Sequence, residues 1–205
     1  MPFDILVFIV VFVPAVVLHE CAHGWMAYRL GDKTAQEAGR LTINPLKHID
    51  PVGSIIVPFL LITLKAPVLL GWAKPVPVNF MNLNNPRRDM VLVGLAGPGI
   101  NILLAIGLSI LMRFTAHPII FELMSGAVLI NLVLAVFNLI PIPPLDGSRL
   151  MMGILPSRVA AVYGRLEQYG LLIVFVLLYL GLLGKIVWPI VIILAHYLGV
   201  SPSTL

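Results

Sequence analysis

An all-α polytopic membrane protein is the fold class predicted by three features of the 205-residue sequence. Hydrophobic residues make up 60% of it and charged ones only 11%. Its mean hydropathy is +1.03, beyond what a water-soluble domain hides in its core. Long apolar runs recur along it, and the polar intervals between them are too short to form a separate soluble domain. The expected architecture is one membrane-embedded domain over residues 1–205. It has a three-helix core (4–150), further hydrophobic helices (160–200), a re-entrant segment and a short extended edge strand near residues 73–79.

The first run, Asp4 to Tyr28, carries its one early charge at the edge and is long enough to cross a bilayer. It lacks a basic leader region, so it reads as a retained span and not a cleaved signal peptide. Inside it lies His19-Glu20-Cys21-Ala22-His23. Two histidines at i and i+4 share one helix face about a turn apart, the spacing at which both imidazoles reach a single Zn²⁺. Glu20, one position on, reaches a metal-bound water without being a ligand. Ionisable groups in a membrane segment are costly and mark function. Cys21 points away from the histidine face and reads as a small packed hydrophobe.

Arg29 to Asp50, with Gly31, Asp32, Gly39, Asn44 and Pro45, reads as a loop. The apolar run Val52 to Trp72 follows, then Gly71-Trp72-Ala73-Lys74-Pro75-Val76-Pro77-Val78-Asn79. Prolines at alternate positions disfavour helix and suit either an edge strand, able to pair with another backbone, or a rigid extended linker. Met90 to Met112 is the second core helix and Ala127 to Leu145 the third. The third is broken by Pro141, Pro143 and Pro144, a break tolerated at membrane depth only where the freed backbone is buried in protein or lines a wet cavity. Asp146 is the only acidic residue between Glu122 and Glu167. A two-histidine zinc site needs a third protein ligand and an open position for water, and this carboxylate supplies the ligand. Asn138 either donates to a substrate carbonyl or bonds to the loosened backbone. Leu171 to Leu183 and Ile186 to Leu198 complete the hydrophobic segments. The last is short for a span, contains Pro189, and leaves the side of the C-terminus open.

The composition also narrows the partners. A single cysteine forms no internal disulfide. The net charge of +4 comes without a basic run or aromatic-basic interleaving, so nucleic acid is not implied, and the lipid bilayer is the expected surrounding. His48, His117 and His196 have no partner at ligand spacing and read as loop or interfacial residues.

Taken together, His19 to His23, Gly97-Pro98-Gly99-Ile100-Asn101 and Asn138 to Gly147 resemble the signatures of the site-2 protease family of intramembrane zinc metalloproteases. The resemblance covers residues 4 to about 150. It implies one Zn²⁺ held by His19, His23 and Asp146, Glu20 as catalytic base, and Asn138 at the scissile peptide of a transmembrane protein substrate. It further implies close helix packing at Gly97 and Pro98, a polar substrate contact near the site at Asn101, and substrate held by β-addition along Val76, Val78 and Asn79. No segment resembles the PDZ or CBS domains that many members carry, so a minimal form is expected. A metal transporter or metal-binding membrane chaperone is the other class that places His and Asp in helices, and Glu20 separates the two, because only hydrolysis needs a carboxylate that is not a ligand.

The metal site also constrains topology. If Val52 to Trp72 crossed the bilayer, the first and third core helices would be opposed and Asp146 would end far from His23. A re-entrant segment turning at Lys65-Ala66-Pro67 brings the two together. Re-entry also gathers Arg29, Lys33, Arg40, Lys47, Lys74, Arg87, Arg88, Arg149, Arg158 and Arg165 on one face, with Arg113 and Lys185 opposite. That asymmetry marks a cytoplasmic face. The expectation is a multi-pass protein of a prokaryotic plasma membrane, N-terminus outside and active site toward the cytoplasm.

Overall fold

The computed structural model describes residues 2–64 and 71–200. Its regular structure is helical, with no β-strand among the described residues. Apolar side chains dominate each long helix, and in lipid a helix satisfies its own backbone donors and acceptors. Three helices are long and apolar enough to cross a bilayer: α1 (Pro2–Arg29), α4 (Pro86–Met112) and α5 (Pro118–Asn138). Between α1 and α4 lie a short α2 (Thr34–Glu37) and a π-helical turn, Pro51–Ile56, running into α3 (Val57–Thr63). After α5 come α6 (Gly147–Ile154), α7 (Ser157–Gly164), α8 (Glu167–Tyr179) and α9 (Leu182–Tyr197).

The boundaries have local causes. Pro86 and Pro118 start α4 and α5 where a missing N–H costs no intrahelical bond. At the head of α4, Asp89 Oδ2 accepts from the Asn85 N–H at 2.8 Å, in the manner of a capping box. The third core helix thus begins at Pro118, nine residues before the apolar run starting at Ala127. Glu122 and Ser125 interrupt the hydropathy there without interrupting the helix.

The core helices pack as α1 on α4 on α5, with α1 also touching α5. Direction is read from pairs of contacts. Asn101 of α4 meets Ala15 of α1, and Val93 meets His23, so α4 runs antiparallel to α1. Met112 and Asn101 of α4 meet Ser125 and Asn131 of α5, so α5 is antiparallel to α4 and parallel to α1. Those are the relative directions expected of a re-entrant 52–72 segment.

The segment itself agrees. Pro51–Thr63 rises about 20 Å at ~1.5 Å per residue, short of the ~30 Å hydrocarbon core. Its two flanks meet: the Trp72 N–H donates to Gly53 C=O at 3.2 Å, and Ser54 Oγ donates to Trp72 C=O at 2.9 Å. The two described flanks of the segment therefore lie side by side. The turn expected at Lys65-Ala66-Pro67 lies outside the described residues.

Residues 71–79 are free of helix, as expected, but form no strand ladder. Their polar backbone groups are held by loops and side chains. The Lys74 N–H donates to His48 C=O, and the buried Arg40 guanidinium donates to the carbonyls of Lys74 and Pro75. Beyond the core, α9 packs along α5 through Leu183, Val187, Val191 and Ala195. Ser109 Oγ on α4 donates to Leu198 C=O at 2.6 Å, so α9 ends beside the Arg113 end of α4. Lys185, grouped with Arg113 in the count of basic residues, therefore lies about 20 Å back along α9 at ~1.5 Å per residue.

Candidate metal centre and active site

His19 sits ten residues before Arg29, which ends α1, about 15 Å along the helix from the polar flank at ~1.5 Å per residue. His19 and His23 are both buried, at 6% and 8% exposed. Their Nε2 atoms are 3.0 Å apart, and each faces Asp146 Oδ2, at 3.1 Å from His19 and 3.2 Å from His23. Among the described residues this is the one group of three His, Cys, Asp or Glu residues close enough to hold a metal ion.

Asp146 reaches the histidines because of what ends α5. The helix stops at Asn138, residues 139–146 turn with Pro141, Pro143 and Pro144 inside, and α6 begins at Gly147. Asp146 occupies the N-cap position of α6, yet its side chain caps nothing. Its Oδ2 is buried with no hydrogen-bond partner. Gly147 makes the turn possible, since a Cβ there would run into the carbonyls of Leu139 and Ile140. Gly97 of α4 presents bare backbone to both imidazoles, where a Cβ would lie 2.6 Å from His19 Nε2 and closer still to His23 Nε2.

The donor chemistry fits a divalent metal. His23 Nδ1 lies 2.7 Å from Val93 C=O, which can only accept, so the ring proton is on Nδ1 and the lone pair on Nε2. His19 Nδ1 lies 2.6 Å from Asn101 Oδ1, with the same consequence. In their neutral forms the two rings thus direct two nitrogen lone pairs at the carboxylate oxygen, an arrangement a cation relieves. Their separations of 3.0 to 3.2 Å are close to the ~3.3 Å between ligands of a tetrahedral site with ~2.0 Å bonds.

Glu20 stands outside this trio. Its Oε2 accepts from the Val76 N–H at 2.8 Å, tying the residues 71–79 to the helix that carries the histidines. Cys21 Sγ donates to Thr42 C=O, away from the trio, as a packed residue would.

Other expected residues are placed differently. Asn101 is fully buried behind His19, which puts it out of reach as a substrate contact. Asn79 is committed to its surroundings: its N–H donates to Asp32 Oδ2 at 2.7 Å and its Oδ1 accepts from Met81 N–H. Asn138 Nδ2 donates to Leu134 C=O at 2.9 Å, the structural bond of its two expected uses. Val76 is buried against Glu20, while the Val78 N–H has no hydrogen-bond partner among the described residues. Three participants have no motif in the sequence: the Val93 carbonyl, Asn131, and Asp32. Asp32 is fully buried and accepts from Thr34, Asn79 and Asn82. An asparagine inside an apolar run was the available signal for Asn131.

Comparison with known proteins points the same way. A model of peptidase family M50 matches residues 114–181. Two bacterial relatives carry the name "Putative zinc metalloprotease". YwhC of Bacillus subtilis is 40% identical over 200 residues, covering 92% of this chain and 85% of its own. Rip2 of Mycolicibacterium smegmatis is 32% identical over 187 residues, covering 90% and 71%. Zinc metalloprotease MJ0392 of Methanocaldococcus jannaschii is 26% identical over 208 residues, 96% of this chain and 49% of that protein. No solved structure matches. With likeness along nearly its whole length to proteins of that name, and a donor set suited to a metal at membrane depth, the chain belongs to peptidase family M50, the site-2 proteases.

Proposed function

We propose that this protein is an intramembrane zinc metalloprotease that hydrolyses peptide bonds in or near the transmembrane segments of other membrane proteins. The observation that carries the reading is the convergence of His19 Nε2, His23 Nε2 and Asp146 Oδ2 inside a helix bundle, with a carboxylate, Glu20, beside them and not among them.

His19, His23 and Asp146 would hold the zinc, which when bound would supply a Lewis acid to activate water and polarise the scissile carbonyl. Glu20 takes the proton of the attacking water and delivers it to the leaving amine. The Val76 N–H holds the Glu20 carboxylate in place with a charge-assisted hydrogen bond. A peptide bond inside a substrate helix is shielded by its own hydrogen bonds, so the substrate unwinds locally before cleavage. Alternate N–H groups of an extended chain share a side, so Val78 presents its free N–H toward the side of Val76 and Glu20, where an unwound substrate strand pairs by β-addition. The second N–H of Asn138 Nδ2 is the donor we assign to the scissile carbonyl. Ten basic residues on one face favour a multi-pass orientation in a prokaryotic plasma membrane with the site toward the cytoplasm.

The test is cleavage of a single-span substrate in liposomes by purified protein. Removal of zinc with a chelator abolishes cleavage, readdition restores it, and mass analysis puts the new ends within or beside the span. Cleavage that persists unchanged in the metal-free protein contradicts the reading.

A further inference from the structure

Asn131, on α5, is 3% exposed and makes no hydrogen bond to the metal trio. Its hydrogen bonds nonetheless end at His19. Asn131 Nδ2 donates to Ala127 C=O at 2.8 Å, and because a carbonyl can only accept, Oδ1 must face away from it. That Oδ1 accepts from Asn101 Nδ2 at 2.8 Å. Asn101 Nδ2 also faces Ala15 C=O at 3.3 Å, which leaves Asn101 Oδ1 turned toward His19 Nδ1 at 2.6 Å.

The two histidines are held by different kinds of group. His23 Nδ1 meets a backbone carbonyl, which cannot be turned into a donor. His19 Nδ1 meets a side-chain amide, which can. A half-turn of the Asn101 amide would present its NH₂ to His19, move the ring proton to Nε2 and occupy the lone pair needed for a metal. Such a half-turn also sets the Asn101 oxygen against two acceptors, Ala15 C=O and Asn131 Oδ1. We propose that Asn131 is a positioning residue of the metal centre, fixing through Asn101 the His19 tautomer that offers Nε2 to zinc. The proposal rests on the zinc-site reading above. It assigns α5 two contributions to one site, Asp146 at its broken end and the orientation of His19 from within.

The experiment measures zinc affinity of detergent-purified protein by competition with a chelator, alongside ¹⁵N-histidine NMR of the metal-free protein. Asn131→Leu conserves volume and removes both polar atoms, and it weakens zinc binding by about 10–100-fold, the usual range for loss of an outer-shell partner. It also replaces the single Nδ1–H form of His19 by a mixture. Asn131→Asp, whose protonated carboxyl still donates to Ala127 and accepts from Asn101, retains affinity close to that of the unaltered protein. Weakening by Asn131→Leu with His19 still wholly in its Nδ1–H form means a packing role, and no weakening by Asn131→Leu means no role; either overturns the proposal. His19→Ala separates this from the underlying reading. Unchanged zinc binding in His19→Ala refutes the zinc site, whereas its loss there with Asn131→Leu unaffected refutes only the positioning role.

Discussion

Adding one methyl group at Gly97 tests whether α4 is built around the two imidazoles. A Cβ at this position would lie 2.6 Å from His19 Nε2, whereas ordinary contact begins at 3.4 Å, so the ring must withdraw by about 0.8 Å. His23 Nε2 is closer still and must move further. Neither ring has free space, since both are buried and both are tied through Nδ1. Two opposing terms act on the fold: alanine gains about 1 kcal/mol over glycine in a helix interior, while overpacking costs about 1–3 kcal/mol. Gly97→Ala should therefore lower stability by no more than about 2 kcal/mol. The metal site is less forgiving, because ligand distances tolerate only ~0.2 Å, a quarter of the forced shift. The expectation is a folded protein whose zinc affinity drops by at least the ~100-fold at the upper end of outer-shell losses. Thermal unfolding in detergent and chelator competition measure the two effects separately. Gly97→Ala protein that binds zinc as tightly as the unaltered protein would refute the placement of α4 against the histidines.

Other perturbations follow from the same geometry. Asp146→Ala removes the third converging atom, and zinc content of the purified protein should fall, with an affinity loss exceeding the ~100-fold of outer-shell changes; full occupancy removes Asp146 from the ligand set. Val78→Pro deletes the free N–H assigned to substrate pairing. At about 0.5–1.5 kcal/mol per hydrogen bond, KM should rise several-fold with zinc content unchanged. Asp32 links acidity to the residues 71–79. Burial pushes its carboxyl up, but hydrogen bonds from Thr34, Asn79 and Asn82 more than offset this and hold it below the ordinary value. Since the folded pKa is the lower one, the stabilisation is complete above the unfolded value of about 4 and is lost as pH falls through the folded value. Asp32→Asn should thus cost about 1–3 kcal/mol at neutral pH, with the gap to the unaltered protein narrowing in thermal unfolding as the pH drops below about 4.

The parts of this site readable in the sequence are those set by local periodicity or by scarcity. A helix in lipid has one period, so His19 and His23 must share a face, and Glu20 must lie off it. Asp146 stands out because acids are rare in a chain this apolar, and the prolines before it announce the break that aims it. The same requirement, that Asp146 meet His23, leads to the expectation that residues 52–72 return, and the two described flanks, Gly53 and Trp72, are in contact. Asn101 shows the limit. Its place in a motif marks it as important, but whether it faces substrate or His19 depends on the rotation of α4 against α1, which no local pattern encodes. Asn131 is harder still, because its partner is 30 residues away on a neighbouring helix. The residues near 73–79 read correctly as non-helical, yet a ladder needs a neighbouring strand, and here Arg40, Glu20 and Asp32 take those backbone groups instead.

The most direct measurement of the central claim pairs zinc content with cleavage in Glu20→Gln protein. The amide keeps the size of the carboxylate and leaves His19, His23 and Asp146 untouched, but it cannot accept a proton from water. Purified Glu20→Gln protein should hold one zinc per chain and leave a transmembrane substrate in liposomes intact, while the unaltered protein cuts it. Undiminished cleavage by zinc-loaded Glu20→Gln protein would contradict the assignment of Glu20 as the base, and an intact substrate with the zinc-loaded unaltered protein would contradict the account of this bundle as a protease.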